Sequence, residues 1–251
     1  MGLDNIFGKH QFLPSDTKII NLNNKWLFIK REKEGWYFLV SEEFNEGNLD
    51  FSRGEYFQTG KSNSLIIVPA LPDKPLVFKG DMLKVSAGQK FTFFLKIPAS
   101  LHFFYSKSQP ENLMKEIVPK QLSRTWFGEP DNGEPALAVG NEYFLEFEAT
   151  ETLPFEIICP VTIINNSAVP FEVKRLIIRT ENLTIYKTGN KKVTSFVHVE
   201  FRGQDAINPV KYTYSKFYDD ENQELFAKSR SANNKNQLRN TIKNRLKNNK
   251  A

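Results

Sequence analysis

Between residues 153 and 217 apolar side chains recur at alternate positions, segment after segment, and this period restricts the chain to a β-rich fold. Phe155, Ile157, Cys159, Val161 and Ile163 fall on one face of an extended run, with Glu156, Ile158, Pro160, Thr162 and Ile164 on the other. Pro160 has no N–H to give to a ladder, so this strand is expected at a sheet edge or bulged at that point. In residues 171–178 the apolar parity slips from Phe171 and Val173 to Leu176 and Ile178, which a one-residue bulge near Lys174 and Arg175 would explain. Further strands are read at residues 183–186, 193–201 and 211–215, the last with Tyr212 and Tyr214 on one side.

The first half has the same grain. Trp26-Leu27-Phe28-Ile29 and Trp36-Tyr37-Phe38-Leu39-Val40 are short runs apolar on both faces, separated by the polar turn Arg31-Glu32-Lys33-Glu34-Gly35. They read as a hairpin covered on both sides. More strands are expected at residues 55–58, 65–68, 76–78, 83–85, 91–97 and 102–105, and at 143–148 with Tyr143, Leu145 and Phe147 on one face. Twenty-two Phe, 8 Tyr and 3 Trp supply the large rings that suit pleated surfaces. One helix is predicted here: Ser108-Gln109-Pro110-Glu111 matches a capping box, with Leu113, Met114 and Ile117 as its buried stripe.

The expected fold is therefore mostly β, of antiparallel sandwich type, because the loops are too short for crossover helices. It would form one large domain or two consecutive ones, divided near residues 149–152 into 1–150 and 151–218. Residues 219–251 would be a basic tail, helical around Leu225 and Phe226, loose over 229–236, and then carrying a thin apolar stripe of Leu238, Ile242 and Leu246 on a basic helix expected to be frayed or disordered when free.

Charge separates the same two parts. The last 24 residues hold Lys228, Arg230, Lys235, Arg239, Lys243, Arg245, Lys247 and Lys250 and no acid. Removing those 8 from 34 basic residues leaves 26 against 29 acidic ones, so the body is net −3 and the tail +8. Any nucleic-acid or anionic-membrane partner is thus an expectation about the tail, with Arg230, Lys235, Arg239, Lys243, Arg245, Lys247 and Lys250 as the contacts. No aromatic residue lies beyond Phe226 to stack on a base. A single cysteine, Cys159, excludes an internal disulfide. With no basic-then-apolar leader and no bilayer-length apolar run, this favours a reducing, cytoplasmic setting.

Two segments, Ser123-Arg124-Thr125-Trp126-Phe127-Gly128-Glu129-Pro130 and Pro160-Val161-Thr162-Ile163-Ile164-Asn165-Asn166-Ser167, stand out together with Leu183-Thr184-Ile185-Tyr186 and Thr194-Ser195-Phe196-Val197-His198-Val199. Taken together they resemble the DUF432 proteins, a prokaryotic family of unknown function and about this length. The resemblance extends to Phe217 and not into the tail. It implies a bacterial or archaeal cytosolic protein and no particular activity.

Candidate chemistry is sparse. His10, His102 and His198 stand far apart with no second ligand at metal spacing, so no metal and no cofactor is expected. Cys159 shares its face with Ile157 and Val161 and reads as buried and inert. The strongest candidate is the segment from Trp126 to Pro135, where Trp126, Phe127, Glu129, Asp131 and Glu134, with Arg124 before them, could stack on and orient a polar ligand. A hydrolase using Glu129 and Glu134 as acid and base is the catalytic version. A plain ordered connection is the structural alternative. The leading expectation is a non-enzymatic accessory or protein-interaction module, with a homodimer also admitted by the sheet edges.

Overall fold

The computed structural model describes residues 6–44, 47, 49–81, 83–203, 209–213 and 224–231. The chain is mostly β, and its helical turns among those residues are short 3-10 turns. It divides into two compact units, Met1–Ala70 with Ala99–Lys120, and Leu71–Pro98 with Gln121–Ala251. Each unit is assembled from separated stretches, and no division falls at residues 149–152. A cut at one linker presumes that neighbours in sequence stay together, whereas sheet pairing draws partners from distant strands.

The first unit holds two four-stranded sheets, all of whose pairs are antiparallel. One runs β1 (Gly8–Gln11), β6 (Ser64–Ala70), β10 (Ser100–Tyr105), β11 (Leu113–Ile117). The other runs β2 (Thr17–Asn21), β3 (Trp26–Arg31), β4 (Gly35–Ser41), β5 (Glu55–Gln58). Phe38 meets Phe103 edge-on at 5.2 Å between ring centres, and Phe12 meets Trp36 at 4.9 Å. On the opposite face of β3, Phe28 is fully buried beneath Phe44, while Phe51 lies beside Tyr37. The β3–β4 hairpin is covered on both sides, as its doubly apolar runs require.

The helix predicted from Ser108 does not form. Pro110–Asn112 is a single 3-10 turn, and Leu113–Ile117 is β11, paired with β10. The stretch between the capping residues and Pro119 is too short to offset helix nucleation, whereas the open edge of β10 satisfies its backbone at once.

Arg31, assigned by its sequence to a polar turn, is 1% exposed. Its Nε donates to Asn63 Oδ1 at 3.0 Å, Nη1 to the Gly35 carbonyl at 2.6 Å, and Nη2 to the carbonyls of Gly60 at 2.8 Å and Lys33 at 3.2 Å. The guanidinium also lies over the Trp36 ring at 5.2 Å. Neutral acceptors satisfy the cation and bind the hairpin turn to the loop at residues 59–63.

The second unit is organised by β14 (Glu156–Asn165), nine of whose ten residues are buried. On one side it pairs antiparallel with β9 (Lys90–Pro98), from Glu156↔Pro98 to Ile164↔Lys90. On the other it pairs in parallel first with β18 (Lys191–Thr194), at Ile158, and then with β19 (Phe196–Phe201), from Val161 onward. The sheet continues through β20 (Val210–Thr213) beside β19, and through β17 (Ile185–Thr188) and β21 (Glu224–Ala227) beyond β18.

Pro160 is therefore neither at an edge nor in a bulge. Phe94 opposite it exchanges both backbone bonds with Phe144, so Phe94 and Pro160 form a non-hydrogen-bonded pair and Pro160 turns its nitrogen away from β9. That nitrogen faces the junction between β18 and β19, where Ser195 sends its N–H to Thr184. The Ser195 carbonyl at that junction accepts from the Thr194 hydroxyl at 2.9 Å.

A second sheet runs β12 (Arg124–Phe127), β13 (Glu134–Gly140), β7 (Leu76–Lys79), β16 (Arg175–Ile178), with β13 and β7 parallel. Phe78 of β7 meets Phe93 of β9 at 5.3 Å, and Tyr143 closes on both. The expectation of purely antiparallel sheets is corrected: strands enrolled in other sheets serve as the crossovers that helices usually provide. The parity slip after Val173 is a break, not a bulge. β15 (Phe171–Glu172) pairs with β8 (Lys84–Val85), whereas β16 pairs with β7.

Residues 143–148 make one bridge, Phe144 to Phe94, rather than a strand. Phe144 and Phe147 cover Phe94, Ile158, Val193 and Phe196. Lys96 lies over the Phe144 ring at 4.2 Å and Lys191 over Phe147 at 4.8 Å, so two cations fasten this cover.

The helix expected around Leu225 and Phe226 is strand β21, paired with β17. After it, Arg230 donates to the carbonyls of Leu71 at 2.7 Å and Pro72 at 2.6 Å, and Ser231 N–H to Glu181. The stripe of Leu238, Ile242 and Leu246 lies outside the described residues, as does Tyr214.

Replacing Arg31 with Met should destabilise the protein by about 3 kcal/mol, because buried carbonyls lose a charged donor. Arg31→Lys should recover little of this, since an ammonium cannot reproduce the fork. Urea titration followed by tryptophan fluorescence measures both; a loss below about 1 kcal/mol for Arg31→Met would show that the network is dispensable.

Candidate functional site

The segment singled out for binding is a β-hairpin. β12 and β13 pair from Arg124↔Leu137 to Phe127↔Glu134, and the Gly133 N–H closes the turn on the Glu129 carbonyl at 2.8 Å. Gly128 has φ +105°, a conformation that favours glycine. At Gly133 a Cβ would stand 2.1 Å from the Trp126 indole nitrogen, so only glycine lets the ring lie across the turn. The indole N–H donates to the Glu129 carbonyl at 3.1 Å, leaving the ring 43% exposed with its orientation set.

Two arginines hold this hairpin. Arg179 makes a two-pronged pair with Glu134, Nη1 to Oε2 at 3.0 Å and Nη2 to Oε1 at 2.5 Å. That bond holds the Arg179 pKa above its ordinary value, against the opposing effect of burial. Arg175 donates to the Trp126 carbonyl, and its guanidinium lies over the Phe127 ring at 5.4 Å. β12 and β16 are the two edges of their sheet, so Arg175 spans from one edge to the other.

The predicted residues thus divide. Arg124 and Trp126 alternate onto one exposed face of β12, while Phe127 is half-buried under Arg175. Glu129 contributes its carbonyl to the turn, and Glu129 and Asp131 are exposed. Glu134 is held by Arg179, so it does not stand free beside Glu129 as an acid–base partner. Sequence reasoning missed Arg175 and Arg179. Their separation by four positions puts both on one face of an extended segment, but nothing local says that the face meets the hairpin.

Cys159 is fully buried, and burial pushes its thiol up to about 12. Tyr212 is likewise pushed up to about 12 by burial, while its hydroxyl oxygen accepts the Arg179 N–H at 3.0 Å. His10 Nε2 lies 2.9 Å from the Ile6 carbonyl, and His102 pairs across strands with Glu116 at 3.4 Å. No group of three metal-ligating side chains occurs among the described residues. Of the basic tail residues, Arg230 is engaged by backbone carbonyls, and Lys235, Arg239, Lys243, Arg245, Lys247 and Lys250 lie outside the described residues. Among the described residues no helix is long and apolar enough to cross a membrane.

The model of one protein family, described as a protein of unknown function (DUF432), matches residues 6–246. The match runs past Phe217 into the basic tail, farther than the sequence resemblance reached. No curated protein matches the chain, and no solved structure matches it.

Cys159 and Tyr212 make stability fall with rising pH. Both have folded-state pKa values near 12, above their ordinary 9.0 and 10.0, so above about pH 9 the unfolded chain releases protons the folded one keeps. Urea midpoints should be flat with respect to these groups below pH 9 and decline beyond it. A Cys159→Ala, Tyr212→Phe variant should decline less steeply, and an unchanged slope would assign the effect to other groups.

Proposed function

Because the chain belongs to the DUF432 family, which carries no assigned activity, its role rests on its own side chains, and we propose that it is a non-enzymatic accessory module. Its second, sandwich-like β unit would grip a protein partner through Trp126 and Arg124. The observation that carries this reading is the fixed, exposed indole. Trp126 is bonded to its own turn and braced by Arg175, so little conformational entropy remains to be lost on docking. Tryptophan and arginine are the residue types that most often dominate protein interfaces. The complementary surface is an apolar recess for the ring with a carboxylate at its rim for Arg124.

The pairing of Glu134 with Arg179 supports binding over hydrolysis. A general acid or base has to exchange protons with a substrate, whereas this carboxylate already accepts two guanidinium bonds. The tail would supply a separate electrostatic contact with a nucleic acid or an anionic membrane surface.

The test is capture from the native lysate at low and high salt, with the full chain, a Trp126→Ala variant and a chain ending at Ser231. The last retains Arg230 and Ser231, which contact the second unit. A protein held by the full and shortened chains at both salts, and weakened at least about tenfold by Trp126→Ala, is the expected result. Equal capture by Trp126→Ala would place the interface elsewhere. Capture that needs residues 232–251 and vanishes in salt would assign the activity to polyanion attachment instead.

A further inference from the structure

On the outer face of the β14 sheet, one residue from each of four adjacent strands stands in a single cross-strand row. Thr92 of β9 is registered with Thr162 of β14, Thr162 with His198 of β19, and His198 with Lys211 of β20. Registered neighbours project to the same side of a sheet, so these four side chains share a face. Lys90, two residues before Thr92, joins them at the opposite end from Lys211. Next along the same face, Phe94, Ile158 and Phe196 are covered by Phe144 and Phe147, so the row lies beside an apolar cover.

Every group in the row is a donor or a cation. The Thr92 and Thr162 hydroxyl oxygens are 2.9 Å apart and share one hydrogen. Two hydroxyls carry two hydrogens, so one remains to donate elsewhere. Thr162 is 1% exposed and forms the floor. The His198 imidazole is stacked on Phe196 at 5.6 Å, which fixes its plane. Glu200 is the acid on this face of β19, and its charge is already taken: Arg202 reaches it through Nε and Nη2 at 2.9 Å each, and Asn166 at 2.8 Å. Neither Lys90 nor Lys211 has an ion pair among the described residues, although Lys211 lies within the field of Glu200. The two lysines and burial together lower the His198 pKa from its ordinary value, with burial the larger cause.

We propose that the row Thr92, Thr162, His198 and Lys211, flanked by Lys90, is a binding site for a phosphate-type oxyanion carried by a small molecule. A tetrahedral dianion offers several acceptor oxygens to two ammonium groups, an imidazole N–H and the unshared hydroxyl hydrogen. Strands stand about 4.8 Å apart, so long lysine side chains at either end of the row can bend over a ligand seated on Thr92 and His198, the partly exposed members of the row. The site is separate from Trp126 and does not depend on how that residue is used.

An anion seated there would favour the imidazolium and so raise the His198 pKa. The experiment follows the three histidine ring resonances of the full chain by NMR across pH, with inorganic phosphate, glycerol phosphate, or chloride at matched ionic strength. His198→Gln assigns the signal. Phosphate and glycerol phosphate should move the His198 midpoint up by about one pH unit, equivalent to about tenfold tighter binding to the imidazolium form. His10 and His102 should stay in place. A Lys90→Met, Lys211→Met variant, altered at exposed positions only, should lose the response. The proposal fails if chloride moves the midpoint equally, or if that variant responds like the parent chain.

Discussion

The second unit depends on one strand that has no free side. β14 is buried on both faces, and its edges are paired with β9, β18 and β19. A strand in this position has to be apolar nearly throughout, and it has to find an acceptor or donor for every backbone group. Pro160 is the one residue that cannot meet the second demand. It sits where the parallel neighbour changes from β18 to β19, and the Ser195 carbonyl at the change accepts from the Thr194 hydroxyl. A proline in a central strand thus marks the hand-over between two partners.

Cations bound to neutral groups recur through the structure. Arg31 is buried among carbonyls and an amide in the first unit. In the second, Lys96 and Lys191 fasten the Phe144 and Phe147 cover, Arg230 holds the carbonyls of Leu71 and Pro72, and Arg175 holds that of Trp126. Arg31, Lys96 and Lys191 each tie an irregular segment to a sheet, Arg230 joins two irregular segments, and Arg175 joins two strands. A charged donor is well suited to this, because one guanidinium satisfies several carbonyls that a loop would otherwise leave unpaired. The basic residues of the body are, to this extent, structural, and a slightly acidic net charge conceals how many acceptors they serve.

The hairpin and the polar row illustrate two routes to a candidate site. Trp126 was legible because a large ring beside a turn rich in Gly, Pro and Asp is conspicuous in any reading. Its restraint was not legible, because Arg175 and Arg179 lie some fifty residues later and act across the sheet. The row of Thr92, Thr162, His198 and Lys211 was invisible in the sequence. Each member is an ordinary strand residue, and only the registers of three separate strand pairs align them.

By itself the sequence determined the β class, the burial of Cys159 and the concentration of positive charge after Ala227. These follow from period, composition and local count, which belong to one segment at a time. Tertiary structure decided which strands run parallel, that residues 113–117 and 224–227 are extended rather than helical, and that two units share the chain in alternating stretches. The physical reason is the same throughout. A strand's backbone is satisfied only by another strand, so its partner, direction and neighbours depend on residues far away, and alternation along one segment carries no record of them.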